Sequence, residues 1–298
     1  MKPKSDGATK RRSDEGQAHV ADAPSLRRSV APSLRRYSSF ALPRLCASLK
    51  PFRLHWFPRL RSSNDHAAEL RRRGDLFAPA VVLTGHQTAG RGRGAHAWWS
   101  GPGCITVTFV LPIDETVAPH QIPLIAGLAV RNAAAELAGD DGVQLKWPND
   151  LLYDGRKLAG LLCERVHKAD LIGLGLNVNL DRSSKSVPAS LSDRLTSVSE
   201  IAGRPVDLTT ALATVASHLH RMLTRRADHP FEQVLREYDS HHALVGRTVS
   251  VRDGVEGASV TGRCEGMDEM GRLLLRSRDG IHRVISGEVT LVDSAARR

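Results

Sequence analysis

The chain has 298 residues, of which 41% are hydrophobic, and a formal net charge of +10. This length suffices for one large domain and a small one, and no apolar run approaches the roughly 20 residues that a membrane-spanning helix needs. Residues 1–61 contain 14 Lys+Arg and 4 Asp+Glu, so they carry the whole positive excess and the rest of the chain is neutral. A neutral globular part argues against a broad basic face for nucleic acid.

The first 50 residues differ in composition from the rest, being rich in Ser, Arg, Pro and Ala. Such a segment buries too little apolar surface to offset its chain entropy, so we expect residues 1–50 to be a disordered basic segment. Prolines at positions 24, 32, 43, 51 and 58 interrupt the chain too often for the helices of a helix-turn-helix domain. We therefore expect no DNA-binding domain.

Residues 51–243 alternate helical and strand patterns and predict a mixed α+β domain. Helices are expected at 64–73, 122–137, 208–225 and 231–241. For the first of these, Asn64 or Ser63 is the expected N-cap and Gly74 the expected stop. Strands are expected at 79–84, 104–111, 143–146, 158–166 and 171–180.

Residues 244–298 have a different sequence pattern, in which short apolar runs replace the longer helical segments. Five short β-runs, separated by glycine-containing turns, predict a small β-barrel packed on the larger domain. The expected strands are 247–252, 259–265, 272–276, 281–285 and 288–292.

The cysteines, at positions 46, 104, 163 and 264, lie far apart and form no Cys-x-x-Cys pair. This spacing argues against a zinc site, and reduced thiols are typical of cytosolic proteins. We therefore expect a cytoplasmic protein without a metal site built from these cysteines, and the short apolar runs lead us to expect no membrane partner.

Two segments indicate a site for anions. Residues 85–94 read Gly-His-Gln-Thr-Ala-Gly-Arg-Gly-Arg-Gly, and residues 146–150 read Lys-Trp-Pro-Asn-Asp. Glycines let a backbone approach a ligand closely, and arginines offer planar forks for carboxylate or phosphate. Each segment alone is also compatible with a solvated basic loop or a strand-ending turn, whereas the pair in this order is far more specific.

The pair resembles the biotin–protein ligases, whose pattern is Gln-Thr-Ala-Gly-Arg-Gly-Arg followed by Lys-Trp-Pro-Asn-Asp. Residues 62–65 (Ser-Ser-Asn-Asp) are similar to the family's Ser-Thr-Asn segment, and residues 157–164 (Lys-Leu-Ala-Gly-Leu-Leu-Cys-Glu) also match. Residues 171–179 (Leu-Ile-Gly-Leu-Gly-Leu-Asn-Val-Asn) resemble its glycine-rich strand. The resemblance covers about residues 55–292.

The resemblance implies a monofunctional ligase without a DNA-binding domain. Its expected fold is α+β, with a mixed β-sheet catalytic domain of the biotin/lipoate ligase type followed by a Src-homology-like β-barrel. Its expected reaction joins biotin and ATP, with Mg²⁺, into biotinyl-5'-AMP and then transfers biotin to a lysine of a biotin carrier domain, usually that of acetyl-CoA carboxylase. Whether two subunits pair through a sheet edge to form a homodimer stays open.

The same resemblance implies roles for individual residues. Lys146, Arg91 and Arg93 are the expected catalytic cations, with Lys146 bridging the biotin carboxylate and the α-phosphate. Those expected to bind biotin are Ser62, Ser63, Asn64, Gln87, Gly90, Arg91, Gly92, Arg93, Lys146, Gly160 and Gly175. Those expected on the nucleotide side are Arg93, His96, Asn149 and Asn177. The side chain of Asp150 either caps the turn or orients magnesium, and both roles stay open.

One position departs from the family pattern. The family continues Gly-Arg-Gly-Arg-x-Gly-Arg-x-Trp, and here His96 stands in place of the third arginine. A histidine is charged only below roughly pH 6.5 in an unperturbed setting. We expect activity to fall with rising pH more than in a ligase with arginine there.

Two alternatives remain. A lipoate or octanoate ligase or transferase would share the catalytic fold, although such proteins generally lack this Arg-Gly loop. A nonenzymatic nucleic-acid binder would use the basic N-terminal segment, although the chain has few aromatic residues for base stacking.

Overall fold

The computed structural model describes residues 39–94, 96–224, 230–252, 257 and 259–292. The expected disorder of residues 1–38 lies outside the described residues. None of the described helices is both long and apolar enough to cross a membrane.

The larger domain is built on a seven-stranded sheet and a short hairpin. Its strands are β1 (Arg53–Phe57), β2 (Ala80–Thr84), β3 (Gly90–Arg91), β4 (Ala97–Trp98), β5 (Cys104–Leu111), β6 (Gln144–Lys146), β7 (Asp150–Tyr153), β8 (Arg156–Val166) and β9 (Ala169–Asn177). The sheet has the order β1-β2-β5-β9-β8-β7-β6, while β3 and β4 pair only with each other. Only β1 and β2 run parallel, so the mixed sheet is confirmed.

Seven helices lie in the described part of this domain. They are α1 (Leu42–Ser48), α2 (Ser63–Arg73), α3 (Ile122–Ala138), α4 (Ala189–Ser192), α5 (Val198–Ala202), α6 (Leu208–Thr224) and α7 (Phe231–Ser240). The four longer helices expected from the sequence, α2, α3, α6 and α7, are all present. The predicted N-cap of α2 was wrong by one residue. The observed N-cap is Ser62, whose hydroxyl accepts a hydrogen bond from the backbone N–H of Asp65 at 3.3 Å. Gly74 ends α2 in the left-handed conformation, as expected.

The two faces of the central strands carry different residues. On one face of β5, Ile105, Val107 and Phe109 belong to the main core, which also contains residues of α3 and α6. On the other face, Thr106 and Thr108 alternate with them, because successive strand residues point to opposite sides. This second face is covered in part by α2 and forms the floor of the site described below.

The C-terminal domain is a five-stranded antiparallel sheet in the order β13-β12-β11-β10-β14. Its strands are β10 (Thr248–Arg252), β11 (Ser259–Met267), β12 (Leu273–Ser277), β13 (Gly280–Val284) and β14 (Glu288–Leu291), which confirms all five predicted strands. Within the described strands, no pairing joins β13 to β14. The small β domain therefore forms an open sheet rather than the closed barrel that we expected.

The expectation of disorder up to residue 50 was wrong for its last part. Helix α1 packs on α6, and the side chains of Leu45 and Leu49 are fully buried. The backbone N–H of Ala41 donates to Thr209 Oγ1 at 2.9 Å, and Arg44 pairs with Asp207. Pro43, one of the prolines that argued against helices, is compatible with α1, because proline fits the first turn of a helix.

Removing residues 1–50 is expected to lower the midpoint of thermal unfolding relative to removing residues 1–38. The larger deletion uncovers the core surface that Leu45 and Leu49 bury, and losing one buried leucine side chain typically costs about 2–5 kcal/mol. Circular dichroism of the two truncated proteins measures the difference. Arg44→Ala is the control, since an exposed ion pair contributes only about 0–1 kcal/mol. Equal midpoints for the two truncations would show that α1 does not stabilise the domain.

Candidate active site

A row of directly paired residues crosses the sheet and forms the floor of the site. Gly175 of β9 pairs with Thr106 of β5 on one side and with Gly160 of β8 on the other. Gly160 pairs with Asp150, and Asp150 pairs with Lys146. Directly paired residues share a face of a sheet. The two predicted floor glycines and the predicted lysine therefore lie on one face.

The indole of Trp98 lies directly on these glycines. A Cβ atom on Gly175 would be 2.1 Å from Trp98 Cε2, and one on Gly160 would be 3.2 Å from Trp98 Cζ3. The approach of the ring thus requires glycine at position 175 and leaves only a tight fit for a Cβ atom at position 160. The buried Nε1–H of Trp98 has no hydrogen-bond partner within the described part of the chain.

The predicted polar segment at the start of α2 meets the glycine loop and the sheet. The backbone N–H of Ser63 donates to Gln87 Oε1 at 2.7 Å. The hydroxyl of Thr108 lies 2.9 Å from Ser63 Oγ and 2.6 Å from Asn64 Oδ1. Sequence reasoning missed Thr108, although its alternation with apolar residues on β5 places it on the same face as the glycine floor. Ser62 serves as the cap of α2, so its hydroxyl is already used by the helix.

Both the Nδ2 and the Oδ1 atoms of Asn64 make hydrogen bonds. Its Nδ2 donates to Leu162 O at 3.0 Å and to Glu164 Oε2 at 2.8 Å. Gly173 makes room for it, because a Cβ atom there would be 2.2 Å from Asn64 Oδ1. Asn64 is therefore held rigidly, and only the second lone pair of its Oδ1 remains for another donor.

Arg91 lies in the β3–β4 hairpin and is paired with acidic residues. Its Nη2 lies 2.7 Å from Asp65 Oδ1 and 3.0 Å from both carboxylate oxygens of Glu164. Burial acts to lower the pKa of Arg91, but the hydrogen bonds and charges of Glu164 and Asp65 outweigh it, so the pKa is raised. The guanidinium therefore stays charged at any physiological pH.

The tip of the hairpin contacts the C-terminal domain. The N–H of Gly92 donates to His96 O at 2.7 Å and closes the hairpin. Arg93 Nη1 donates to Gly287 O at 3.2 Å, and His96 Nε2 lies 3.1 Å from Glu288 Oε1. His96, which stands where the family pattern has its third arginine, thus faces the carboxylate of Glu288 in the C-terminal domain. The expected pH effect of this position stays a prediction.

Two lysines lie at one end of the floor. Burial lowers the pKa of Lys146, and the charge of Lys157 acts in the same direction, while Asp150 and Glu288 oppose the shift. Lys157 Nζ lies 2.8 Å from Asp150 Oδ1 and 5.6 Å from the centre of the Trp98 ring. Sequence reasoning assigned no role to Lys157, although it begins one of the matching segments. The pairing with Lys157 makes Asp150 a partner of a site lysine.

The two asparagines that we expected on the nucleotide side bind backbone groups. Asn149 Nδ2 donates to Leu161 O at 2.9 Å, and Asn177 Nδ2 donates to Lys157 O at 3.3 Å. These bonds tie the start of β7 and the end of β9 to the backbone of β8. Contact of either residue with a nucleotide stays a prediction. Within the described residues, no group of three His, Cys, Asp or Glu side chains could hold a metal ion.

Together, these residues form a cationic hairpin that lies over a sheet with a floor of glycines, beside a rigid polar cluster.

Comparison with known proteins identifies the family. The family model described as the biotin/lipoate A/B protein ligase family matches residues 56–181, and the model of the biotin protein ligase C terminal domain matches residues 244–292. A biotin–[acetyl-CoA-carboxylase] ligase from Mycobacterium tuberculosis is 30% identical over 202 residues, which cover 65% of this chain and 72% of the relative.

Two further relatives agree with these matches. The bifunctional ligase/repressor BirA of Bacillus subtilis is 29% identical over 221 residues, which span 71% of this chain but only 66% of that protein. The structure of a biotin protein ligase from Aquifex aeolicus in complex with biotin and ATP superposes with a TM-score of 0.71 at 28% identity, covering 81% of this chain and 99% of that one. The chain belongs to the biotin/lipoate A/B protein ligase family, and within it to the biotin protein ligases.

Gly175→Ala is expected to weaken the binding of biotin, a ligand in the Aquifex aeolicus complex, by about fivefold or more, since overpacking in a tight contact typically costs about 1–3 kcal/mol. The added methyl group would collide with the Trp98 ring, so the ring and the hairpin must shift. Titration calorimetry with biotin measures the affinity.

Gly127→Ala in α3 is the matched control for this substitution. A Cβ atom there meets Leu145 Cδ2 at an ordinary 3.5 Å, and alanine favours a helix. Wild-type affinity in both variants would contradict the close packing of Trp98 on the floor.

Proposed function

We propose that the protein is an ATP-dependent biotin–protein ligase. In the first step, a carboxylate oxygen of biotin attacks the α-phosphorus of ATP, the bond to the β-phosphate breaks, and pyrophosphate leaves. In the second step, an acceptor lysine amine attacks the carbonyl carbon of biotinyl-5'-AMP, and AMP leaves as the amide forms. The observation that carries the proposal is the meeting, on one sheet face, of the polar cluster, the glycine floor and the cations.

The first step needs cations because it brings two anions together. Pre-oriented donors and charges usually supply the largest share of such catalysis, and they act most strongly where water is excluded. Lys146 and Lys157 lie at one end of the floor, and the hairpin carries Arg91 and Arg93 above it. We assign the biotin carboxylate and the α-phosphate to the space between the lysines and the hairpin.

The other end of the floor suits the polar ring of biotin. Ser63, Asn64 and Gln87 form one connected cluster with Thr108 there, and a rigid cluster can bind a cyclic urea by several directed hydrogen bonds. Trp98 and the bare backbone of Gly175 offer the apolar surface that a thioether ring favours. Biotin would then extend along the floor from the cluster to the lysines.

The choice of biotin over lipoate rests on the second domain. Residues 244–292 match the C-terminal domain of biotin protein ligases, and this domain contacts the hairpin through Gly287 and Glu288. The neutral charge of residues 62–298 argues against the nucleic-acid alternative. For the same reason we propose that the protein acts without DNA.

Several further parts of the proposal rest on the family alone. They are the carrier domain of acetyl-CoA carboxylase or a related carboxylase as acceptor, a homodimer, and magnesium as the counter-ion of the nucleotide phosphates. A cytoplasmic location is also proposed, and the four free cysteines support it.

The test uses the full chain with biotin, ATP-magnesium and a biotin carrier domain, followed by intact-mass spectrometry of the acceptor. A mass gain of one biotin that depends on ATP is the expected result. A parallel reaction offers lipoate and a lipoyl carrier domain. Modification of the lipoyl carrier alone would move the assignment to lipoate, and modification of neither would contradict ligase activity.

Lys146→Ala and Lys157→Ala are each expected to slow biotinyl-adenylate formation by at least about 100-fold, the usual effect of losing one pre-oriented charge. Release of pyrophosphate in single-turnover experiments measures the rate. Lys168→Gln is the control, because this exposed lysine follows the opposite end of β8. A wild-type rate for either alanine variant would remove that lysine from the mechanism.

The alkaline limb of the pH profile tests the charge of Lys146. Burial lowers the pKa of Lys146, so its ammonium loses the proton at a lower pH than an ordinary lysine. We expect kcat/KM for adenylate formation to fall as pH rises through this lowered pKa. In Lys146→Arg the fall should move to higher pH, because a guanidinium stays charged. An identical alkaline limb in both proteins would show that another group titrates.

A further inference from the structure

Glu164, near the end of β8, connects two parts of the site. Its Oε2 accepts a hydrogen bond from Asn64 Nδ2 at 2.8 Å, and both of its oxygens lie 3.0 Å from Arg91 Nη2. Asn64 belongs to the polar cluster at one end of the floor, and Arg91 belongs to the β3–β4 hairpin. One carboxylate therefore joins the rigid cluster to the hairpin.

The contact with Asn64 fixes the position of the carboxylate. Asn64 is 3% exposed, and a buried amide donor left without a partner costs about 1–3 kcal/mol. The second donor contact of Nδ2, with the backbone carbonyl of Leu162, ties the same amide to β8. Glu164 is thus held on the floor side of the hairpin by an amide that Leu162 O and the Thr108 hydroxyl also bind.

The contact with Arg91 leaves part of the guanidinium available. All of its pairing with Glu164 and with Asp65 runs through Nη2. Within the described residues, Nε and Nη1 of Arg91 make no hydrogen bond. A planar guanidinium that is held at one nitrogen keeps the direction of its other donors. Those donors can then meet a carboxylate or a phosphate oxygen.

We propose that Glu164 is a positioning residue, which orients Arg91 for the reacting anions and links this orientation to the biotin-ring cluster. The proposal rests on the proposed function for the identity of those anions. Glu164 itself touches neither substrate, so it acts through Arg91 and Asn64. Removing it should affect the rate through the hairpin and the affinity for biotin through Asn64.

Two variants separate these effects. Glu164→Gln keeps a carbonyl oxygen for Asn64 and loses one of the two carboxylate charges that hold Arg91, leaving Asp65. Its kcat for adenylate formation should fall about tenfold, in line with the loss of one charge-assisted hydrogen bond, while KM for biotin changes less than about threefold. Glu164→Ala also leaves Asn64 without its partner, so KM for biotin should rise about tenfold as well.

Glu69→Gln is the matched control. Glu69 is another carboxylate paired with arginines, Arg72 and Arg73, but it lies on the outer surface of α2. Its substitution should leave kcat and KM at wild-type values. A purely structural role of Glu164 would lower the thermal midpoint of its variants and leave both kinetic constants unchanged, which would overturn the proposal.

A second measurement requires no enzymatic activity. Hydrogen exchange of the peptide that spans residues 90–98 reports the order of the hairpin in the unliganded protein. Exchange should be faster in Glu164→Gln and Glu164→Ala than in the wild type and in Glu69→Gln. Unchanged exchange in both Glu164 variants would overturn the proposal. If the wild type forms no adenylate, the proposed function fails, while this experiment still decides whether Glu164 holds the hairpin.

Discussion

The site depends on the space above β8 and β9 that is left where glycines replace larger residues. These glycines are Gly160, Gly173 and Gly175. The Trp98 ring lies against two of these glycines, and the amide of Asn64 lies against the third. Any Cβ atom at these positions would come within 3.2 Å of those groups. The hairpin and the start of α2 can therefore approach the same strip of backbone, which brings the cations and the polar cluster within reach of one ligand.

The C-terminal domain completes the site from the other side. Trp147 Nε1, in the Lys-Trp-Pro-Asn-Asp turn, donates to Gly271 O at 3.2 Å. The segment that leads into this domain runs beside the lysine strand, where Leu145 N–H donates to His241 O and Ala243 N–H donates to Leu145 O, both at 2.8 Å. The position of the second domain is thus coupled to β6, which carries Lys146. Movement between the domains would change the surroundings of both the hairpin and the lysines.

Two cations of the site are paired with carboxylates before any substrate binds. Arg91 faces Asp65 and Glu164, and Lys157 faces Asp150. These partly exposed pairs hold the cations in position, although each contributes little net stability. Lys146 differs, since burial lowers its pKa and no described residue forms an ion pair with it. This contrast is the physical reason to expect that Lys146 meets a substrate anion.

The sequence by itself determined the family, the mixed α+β class and the five C-terminal strands, and it predicted a set of site residues, several of which the structure brings onto one sheet face. These features are local, because they depend on period-two and helical patterns and on motifs a few residues long. Only the tertiary structure decided that α1 packs before residue 51, that the small domain is an open sheet, and that Ser62 caps α2. It also revealed Thr108, Lys157, Glu164 and Glu288 as partners of the predicted residues. Thr108 and Asn64 lie 44 positions apart and Glu164 and Arg91 lie 73 apart, and no local pattern specifies which distant side chains will meet.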